Sequence, residues 1–451
     1  MKEDDKPENI SSSGLEIERA STLGFQSGDG IETTKMENDD AEVDPNIVTW
    51  DGPDDPDNPV NWPALKRWTL ITLVSSVTLV AGLSSSIFAP GVPALMKEFH
   101  STNEILGSFV VTIYVLGLAT GPVFFAPLSE LYGRLPIQHI GNVGFLIWTV
   151  ACALATDLNM LIVFRLVQGI FAAVPLTNGG GVIADTVRQE ERGFALAMFT
   201  FGLLAGPVIG PVCGGFLTAA TSWRWSFWLC AILLALPTVL TVPIWRETYP
   251  PIILGRKAAR LREETGNDAL RTDFDNGLAP WPYFKRGINR AMKFLFLFPV
   301  VTSVSVYMGL MYSYFYLLIT TITPTFEDVY HFKTSVVGLA YLGLGSGYFF
   351  GPLVFALVSD PLLKRKAAKE ATSGGEMKPE YRLPLAVVGG ISVPIAFLWY
   401  GWSAQAKTHW IVPIIGPAFL GFGNSLIFMS TQAYLVDAYT VGDDMIQTLV
   451  G

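Results

Sequence analysis

Ten long apolar runs are the constraint that any fold of this chain must satisfy. Residues 69–96 hold no charged side chain, and further runs follow near 105–126, 136–156, 158–184, 194–218, 225–245, 294–320, 335–358, 383–403 and 410–433. At about 1.5 Å of rise per helical residue, roughly twenty residues cross the ~30 Å of bilayer hydrocarbon, so each run is long enough to span it. Hydrocarbon offers no partner to backbone N–H and C=O groups, which leaves helices or a closed barrel. Barrel strands would alternate apolar and polar residues over short segments, and these runs are continuous. The expectation is an all-α membrane protein with ten spanning helices, and the domain count that 451 residues suggest for a soluble chain does not apply.

Composition agrees, with 50% of residues hydrophobic and 15% charged. The net charge of −9 is gathered at one end: residues 1–61 carry 17 of the 39 acids and 4 of the 30 bases. So acidic a stretch buries too little surface to fold, and residues 1–56 are expected to be a disordered cytosolic tail. They lack a signal-peptide pattern, so the first span must act as its own targeting signal. No nucleic-acid partner is implied. Orientation follows from Lys and Arg near the span ends. With the N-terminus in the cytosol, the inner side holds 21 bases, including Lys66, Arg67, Arg134 and those of loops 246–293 and 364–382, while the outer side holds 4, Lys97, Arg224, Lys333 and Lys407. The connector 249–292 divides a six-helix bundle, 57–248, from a second bundle of four helices, 293–451. Its charged run 256–264 is expected to form a surface helix near anionic lipid.

Enzyme chemistry finds little support. All four His, at 100, 139, 331 and 409, lie at or outside span ends, and no His or carboxylate pair faces a common site. Cys152, Cys213 and Cys230 sit in apolar runs, too few for a disulfide framework or a metal site. No phosphate-binding Gly-rich motif appears, so ATP is not the direct energy source.

Three features carry the functional information. Arg165 lies inside an apolar run, where a lone Arg costs ~2.5–3.5 kcal/mol on insertion scales, so it should face the bundle interior or water and serve function. Snorkelling to the outer headgroups is the alternative. Because Arg keeps its proton, its role must be electrostatic, holding an anion or lowering a neighbouring acid's pKa. The segment 121–134 joins two spans by a very short turn, with Gly121, Ser129 and Gly133 in it and Glu130 and Arg134 offering opposite charges beside the bilayer; a simple tight turn closed by an ion pair is the plainer reading. Finally, Gly202, Gly206, Gly210 and Gly214 share one helix face, a groove for a closely packed neighbour, while Pro207 and Pro211 permit bending.

These motifs resemble those of the major facilitator superfamily. Segment 121–134 is similar to its cytosolic gate motif, with Ser129 and Glu130 where most members have an Asp-Arg pair, and the Pro127-Leu128-Ser129-Glu130 form resembles the fungal drug:proton antiporters. Arg165 matches the fourth-span Arg motif linked to proton coupling, and the glycines of 202–214 with Pro207 match the antiporter motif of exporters. Segments 57–63, 223–228 and 247–254 extend the likeness to fungal multidrug and polyamine-type antiporters across 57–440. The resemblance implies the two-bundle fold with the last two of twelve spans missing. It also implies proton-coupled efflux of small amphipathic compounds, whether drugs, polyamines or a fungal secondary metabolite or toxin, by alternating access. Arg165 would bias coupling, and Glu130 with Arg134 would latch the inner gate. The energy source would be the proton gradient with no cofactor, the partners a small molecule, protons and lipid, and the protein a monomer of the plasma membrane. Uptake of a nutrient, or a non-transporting truncated remnant, are the alternatives. Candidate substrate contacts are polar groups within apolar helices: Asn142, Gln168, Asn178, Tyr312, Tyr316 and Asn424, with Tyr307, Tyr314 and Gln432 beside them. Aromatic and amide groups suit amphipathic or cationic compounds; helix-to-helix hydrogen bonding is the competing role. Asp437 is expected to meet the inner loops.

Overall fold

The computed structural model describes residues 46–188, 191–274, 279–371 and 379–440, and among these it is helical with no strand beyond one isolated bridge between Ile47 and Arg271. The helices are α1 (Ala64–Ser86), α2 (Val92–Glu98), α3 (Glu104–Tyr132), α4 (Arg134–Ala153), α5 (Leu158–Thr186), α6 (Arg192–Ala220), α7 (Arg224–Ile244), α8 (Pro250–Thr265), α9 (Pro280–Leu297), α10 (Pro299–Pro324), α11 (Thr334–Ala371), α12 (Pro384–Gln405) and α13 (Ile411–Thr440). Among the described residues ten helical segments are long and apolar enough to cross a membrane, close to where the apolar runs lie, the first combining α1 and α2. The chain is thus an integral multi-pass membrane protein.

Local chemistry sets the boundaries. Asn103 accepts from the N–H groups of Ile105 and Leu106 and opens α3; Asp157 accepts from Met160 N at 2.8 Å and opens α5. Gly266 at φ +69° closes α8. The apolar run expected at 294–320 is split, because Pro299 cannot continue a helix: 294–297 belong to α9, an amphipathic helix, and the span starts at α10. The surface helix expected at 256–264 starts earlier, at Pro250, and buries Leu254 and Ala258.

Helices pair where glycines remove the side-chain layer between backbones. A Cβ on Gly117 would strike the Leu166 carbonyl, and one on Gly169 the Tyr114 carbonyl, so α3 and α5 lie backbone to backbone. The second half repeats the arrangement: Gly347 faces the Ala418 carbonyl and Gly421 the Leu344 carbonyl, joining α11 to α13. Three hydrophobic cores follow among the described residues, one around Tyr114, Phe145 and Phe227, one around Phe315, Tyr341 and Ile319, and a third around Leu70, Ile183 and Trp245. Between the first two α6 packs on α1 with one face and on α11 with another, where Gly338 would carry a Cβ to 2.7 Å from the Pro211 carbonyl.

The acidic tail departs from expectation in one part. Residues 1–45 lie outside the described residues, but 46–56 are tied to the connector. Asp55 accepts from the N–H of Asp51 at 2.8 Å and of Asp57 at 2.9 Å; Lys257 of α8 reaches Asp51 at 2.6 Å and the Thr49 carbonyl at 3.0 Å. Local turns, Lys257, a backbone pairing of residues 46–48 with Arg271 (Val48 N to Arg271 O at 2.7 Å) and burial of Val48 order this segment. Asp437 falls on α13, with its side chain outside the described ones.

Candidate functional site: a cavity between the two bundles

α1, α3, α5 and α6 on one side and α10 and α11 on the other enclose a cavity of about 810 Å³. Its wall is largely apolar, from Val115, Leu116, Leu203, Pro207 and Met308 among others. Tyr312 and Tyr316 line it as expected, joined by Phe315 and Tyr348, and Asn424 supports them by donating from Nδ2 to Tyr348 Oη at 2.6 Å. The rings form edge-on pairs, Phe315 with Tyr316 at 5.2 Å and with Tyr348 at 5.6 Å between centroids.

Three expected contacts sit elsewhere. Asn142, Gln168 and Asn178 are fully buried within the first bundle. Asn142 accepts from Gln138 Nε2 at 2.9 Å, and Asn178 donates to the Arg134 carbonyl at 3.4 Å. Gln168 donates from Nε2 to Thr149 Oγ1 at 2.8 Å while its Oε1 accepts from Arg165 at 3.0 Å. Gln168 and Asn178 thus bond neighbouring helices, the competing role stated above, and Asn142 bonds along its own helix, while Asn142 Nδ2 and Asn178 Oδ1 are buried without a hydrogen bond. Of the flanking positions, Tyr314 is exposed and meets Phe397 instead.

Arg165 is wholly buried, which excludes snorkelling. Its five N–H groups meet five acceptors: Nε donates to the Val110 carbonyl (3.3 Å), Nη1 to the Ser84 carbonyl (2.8 Å) and Gln168 Oε1 (3.0 Å), Nη2 to the carbonyls of Ser85 (3.4 Å) and Val111 (3.5 Å). Tyr114 lies under the guanidinium at 4.5 Å. Ser84 and Ser85 are in the last turn of α1, whose carbonyls lack partners within the helix, so the cation also sits at the negative end of that helix. Burying a charge costs several kcal/mol, and charge-assisted hydrogen bonds returning roughly 1.5–3 kcal/mol each offset it. Arg165 thereby staples α1, α3 and α5 together. No carboxylate partner accompanies it among the described contacts; of the two electrostatic roles, the neighbouring acid is not found there, and all five N–H groups are turned to protein acceptors.

The four glycines of α6 run along α1. A Cβ on Gly202 would come to 2.9 Å from the Ser75 carbonyl, on Gly206 to 2.5 Å from the Gly82 backbone, on Gly210 to 2.5 Å from Ser86 Oγ, and on Gly214 onto the Ile87 carbonyl. Pro211 has no N–H to offer the Pro207 carbonyl, and Ser86 Oγ donates to it instead at 3.0 Å.

At the end of the bundle that carries α8 and α9, the turn 129–134 is built differently from the expected Glu130–Arg134 pair. Arg134 donates to Ser129 Oγ at 2.8 Å, lies 3.5 Å from Asp185 of α5, and stacks on Tyr249 at 4.8 Å. Glu130 faces the other way, 3.5 Å from Arg290 of α9. The helix start explains the split: Gly133 at φ +98° reverses the chain, so Glu130 ends one helix and Arg134 begins the next. Glu247 fills the space a Cβ at Gly133 would need and accepts from the N–H groups of Arg134 at 2.9 Å and Leu135 at 3.3 Å, a carboxylate at the positive end of α4. Gly121 packs against Ala173 and the Ile170 carbonyl of α5. Burial pushes the Tyr249 hydroxyl up to about 12, so it stays protonated at neutral pH. Asp185 and the role of Glu247 escaped the sequence reading; an acid inside the last turn of an apolar run was the available signal for Asp185. At the opposite end Glu98 accepts from Trp223 Nε1 at 2.7 Å and from Arg224 at 2.6 Å, which gives the 223–228 motif a structural task.

Comparison with known proteins agrees with this architecture. Residues 74–444 match the family described as Major Facilitator Superfamily. The chain is 51% identical over 400 residues to the MFS-type transporter tndD of Aspergillus flavipes, covering 88% of this chain and 74% of the relative. It is 45% identical over 412 residues to the efflux pump radE of Floropilus chiversii, covering 91% and 76%, and 48% identical over 397 residues to the MFS-type transporter penM of Penicillium rubens, covering 88% and 77%. Among solved structures, the partially occluded inward-open xylose transporter XylE of E. coli superposes with a TM-score of 0.60 at 16% identity over 82% of this chain and 87% of that one. A bacterial homologue of the human lysosomal transporter Spinster, inward-facing and unoccupied, gives 0.57 at 16% identity over 83% and 80%.

Proposed function

This chain belongs to the Major Facilitator Superfamily, and on that premise we propose that it exports small amphipathic molecules from the cytosol by alternating access, with inward proton movement as the energy source. It is a transporter fold and not an enzyme. The observation that carries the reading is the cavity of about 810 Å³ between the two bundles, walled by both halves. Outward direction is supported by the glycine face of α6 and by the relative named as an efflux pump. The excess of Lys and Arg in the loops at the α8–α9 end supports a cytosolic N-terminus, and the plasma membrane is the proposed location. At that end the Arg134–Asp185 and Glu130–Arg290 contacts would close the inner gate. Among the described residues Glu130 and Asp185 lie at that end and Glu98 at the other, and none contacts Arg165.

The test is retention of Nile red in yeast cells that express the full chain, with and without a protonophore. Lower retention than in cells without the protein, abolished by the protonophore, is the expected result. Equal retention overturns transport of this probe class, higher retention means uptake, and efflux that survives the protonophore removes the proton from the proposal.

A further inference from the structure

We infer that the cavity selects uncharged, ring-bearing molecules with carbonyl or ether acceptors and rejects organic cations, polyamines included. This rests on the transport reading and names its substrate class. The argument starts from charge: among the described residues no Asp, Glu, Lys, Arg or His lines the cavity. A cation entering it leaves its hydration behind and finds no counter-charge. The tyrosine rings offer only cation–π attraction, which is smaller than the dehydration cost.

The nearest ionised group makes matters worse for a cation. Arg165 lies directly behind Ser85, a wall residue whose carbonyl it holds at 3.4 Å, and among the described residues no carboxylate contacts it. An anion gains little in exchange, because all five guanidinium N–H groups already point at protein acceptors.

The wall's hydroxyls narrow the class further. Ser85 donates to the Gly82 carbonyl at 2.7 Å, Thr112 to Ser108 at 3.3 Å, and Ser313 to Gly309 at 2.8 Å, so each spends its proton on its own helix. Tyr348 receives the Asn424 amide and keeps its own proton to give. A phenol that donates calls for an acceptor on the guest, and the edge-on rings of Phe315 and Tyr348 call for an aromatic face.

The experiment measures binding to the purified full chain in detergent, using uncharged Nile red and cationic rhodamine 6G, with spermidine as competitor. Nile red should bind at least tenfold more tightly than rhodamine 6G, and spermidine should not displace it. Thr112→Asp on α3 and Ser313→Asp on α10 should each reverse the preference by installing the missing counter-charge, whereas Thr112→Asn should not. Two carboxylate variants on opposite walls guard against one failing to fold. Equal or tighter rhodamine 6G binding, displacement by spermidine, or binding of neither dye overturns the inference. Nile red binding without Nile red export would instead overturn the transport reading and leave the cavity's preference standing.

Discussion

Arg165 is the residue on which the first bundle's packing depends, and its geometry makes a sharp prediction. A lysine would carry the same charge with three donors in place of five, so at least two of the carbonyl and amide acceptors lose their charged partner. Arg165→Lys should therefore lower stability by about 2 kcal/mol, read as a lower thermal midpoint by tryptophan fluorescence, and should reduce export. An unchanged midpoint would show that the five contacts are not those that hold α1, α3 and α5. Its role as a staple was hidden in the sequence: a buried Arg is visible as a charge in an apolar run, but its acceptors are backbone carbonyls, which every residue possesses and none advertises.

At the scale of elements, the α1–α6 pair is set by missing side chains. Gly206→Ala would bring a Cβ to 2.5 Å from the Gly82 and Leu83 backbones, forcing the two helices apart. Export should fall more than tenfold, roughly the effect of an overpacking cost of 1–3 kcal/mol. Gly180→Ala, with open space around it, is the matched control and should leave export unchanged. The four-residue spacing revealed this face in advance, though not that α1 fills it, since spacing defines a groove and not its occupant. The strap of residues 46–63 on α8 gives a pH test. The Asp55 carboxyl is held below its ordinary 3.8 by backbone N–H donation from Asp51, then from Asp57, and by Lys257, against the opposing pull of burial. A depressed folded value means its stabilisation is fully present above 3.8 and is lost as pH falls through the lower folded value. Protease protection of this strap should hold flat from neutral pH down to that range and collapse only below it; loss between pH 7 and 5 would assign the control to another group.

For the whole molecule, Glu130 and Arg290 join the first bundle's gate turn to α9, which leads into the second bundle. The pair is partly exposed, with 27% and 54% of the side chains accessible, so it contributes at most about 1 kcal/mol. Arg290→Glu should change export by no more than roughly fivefold, and adding Glu130→Arg should restore it; a lasting loss in the double variant would mean that something other than charge pairing acts there. The sequence placed both residues at one membrane face but paired Glu130 with Arg134, its neighbour four positions on. That pairing took the short turn to close on itself, whereas Arg134 turns to Ser129 and Asp185 and Glu130 to Arg290, partners distant in the chain or on the preceding helix.

Hydrocarbon punishes an unpaired backbone wherever it occurs along the chain, so the number, type and order of the spanning helices are written locally and could be read without coordinates. The same holds for the glycine face and for Arg165 as a buried charge. Which polar side chain turns toward a guest and which toward a neighbouring helix is a different matter. Asn142, Gln168 and Asn178 look no different in sequence from Tyr312 and Tyr316, yet the first three are buried inside one bundle and the tyrosines line the cavity. The rotation of each helix about its axis, fixed by contacts between residues far apart in the chain, settled that, and with it the lack of any charged side chain on the cavity wall among the described residues.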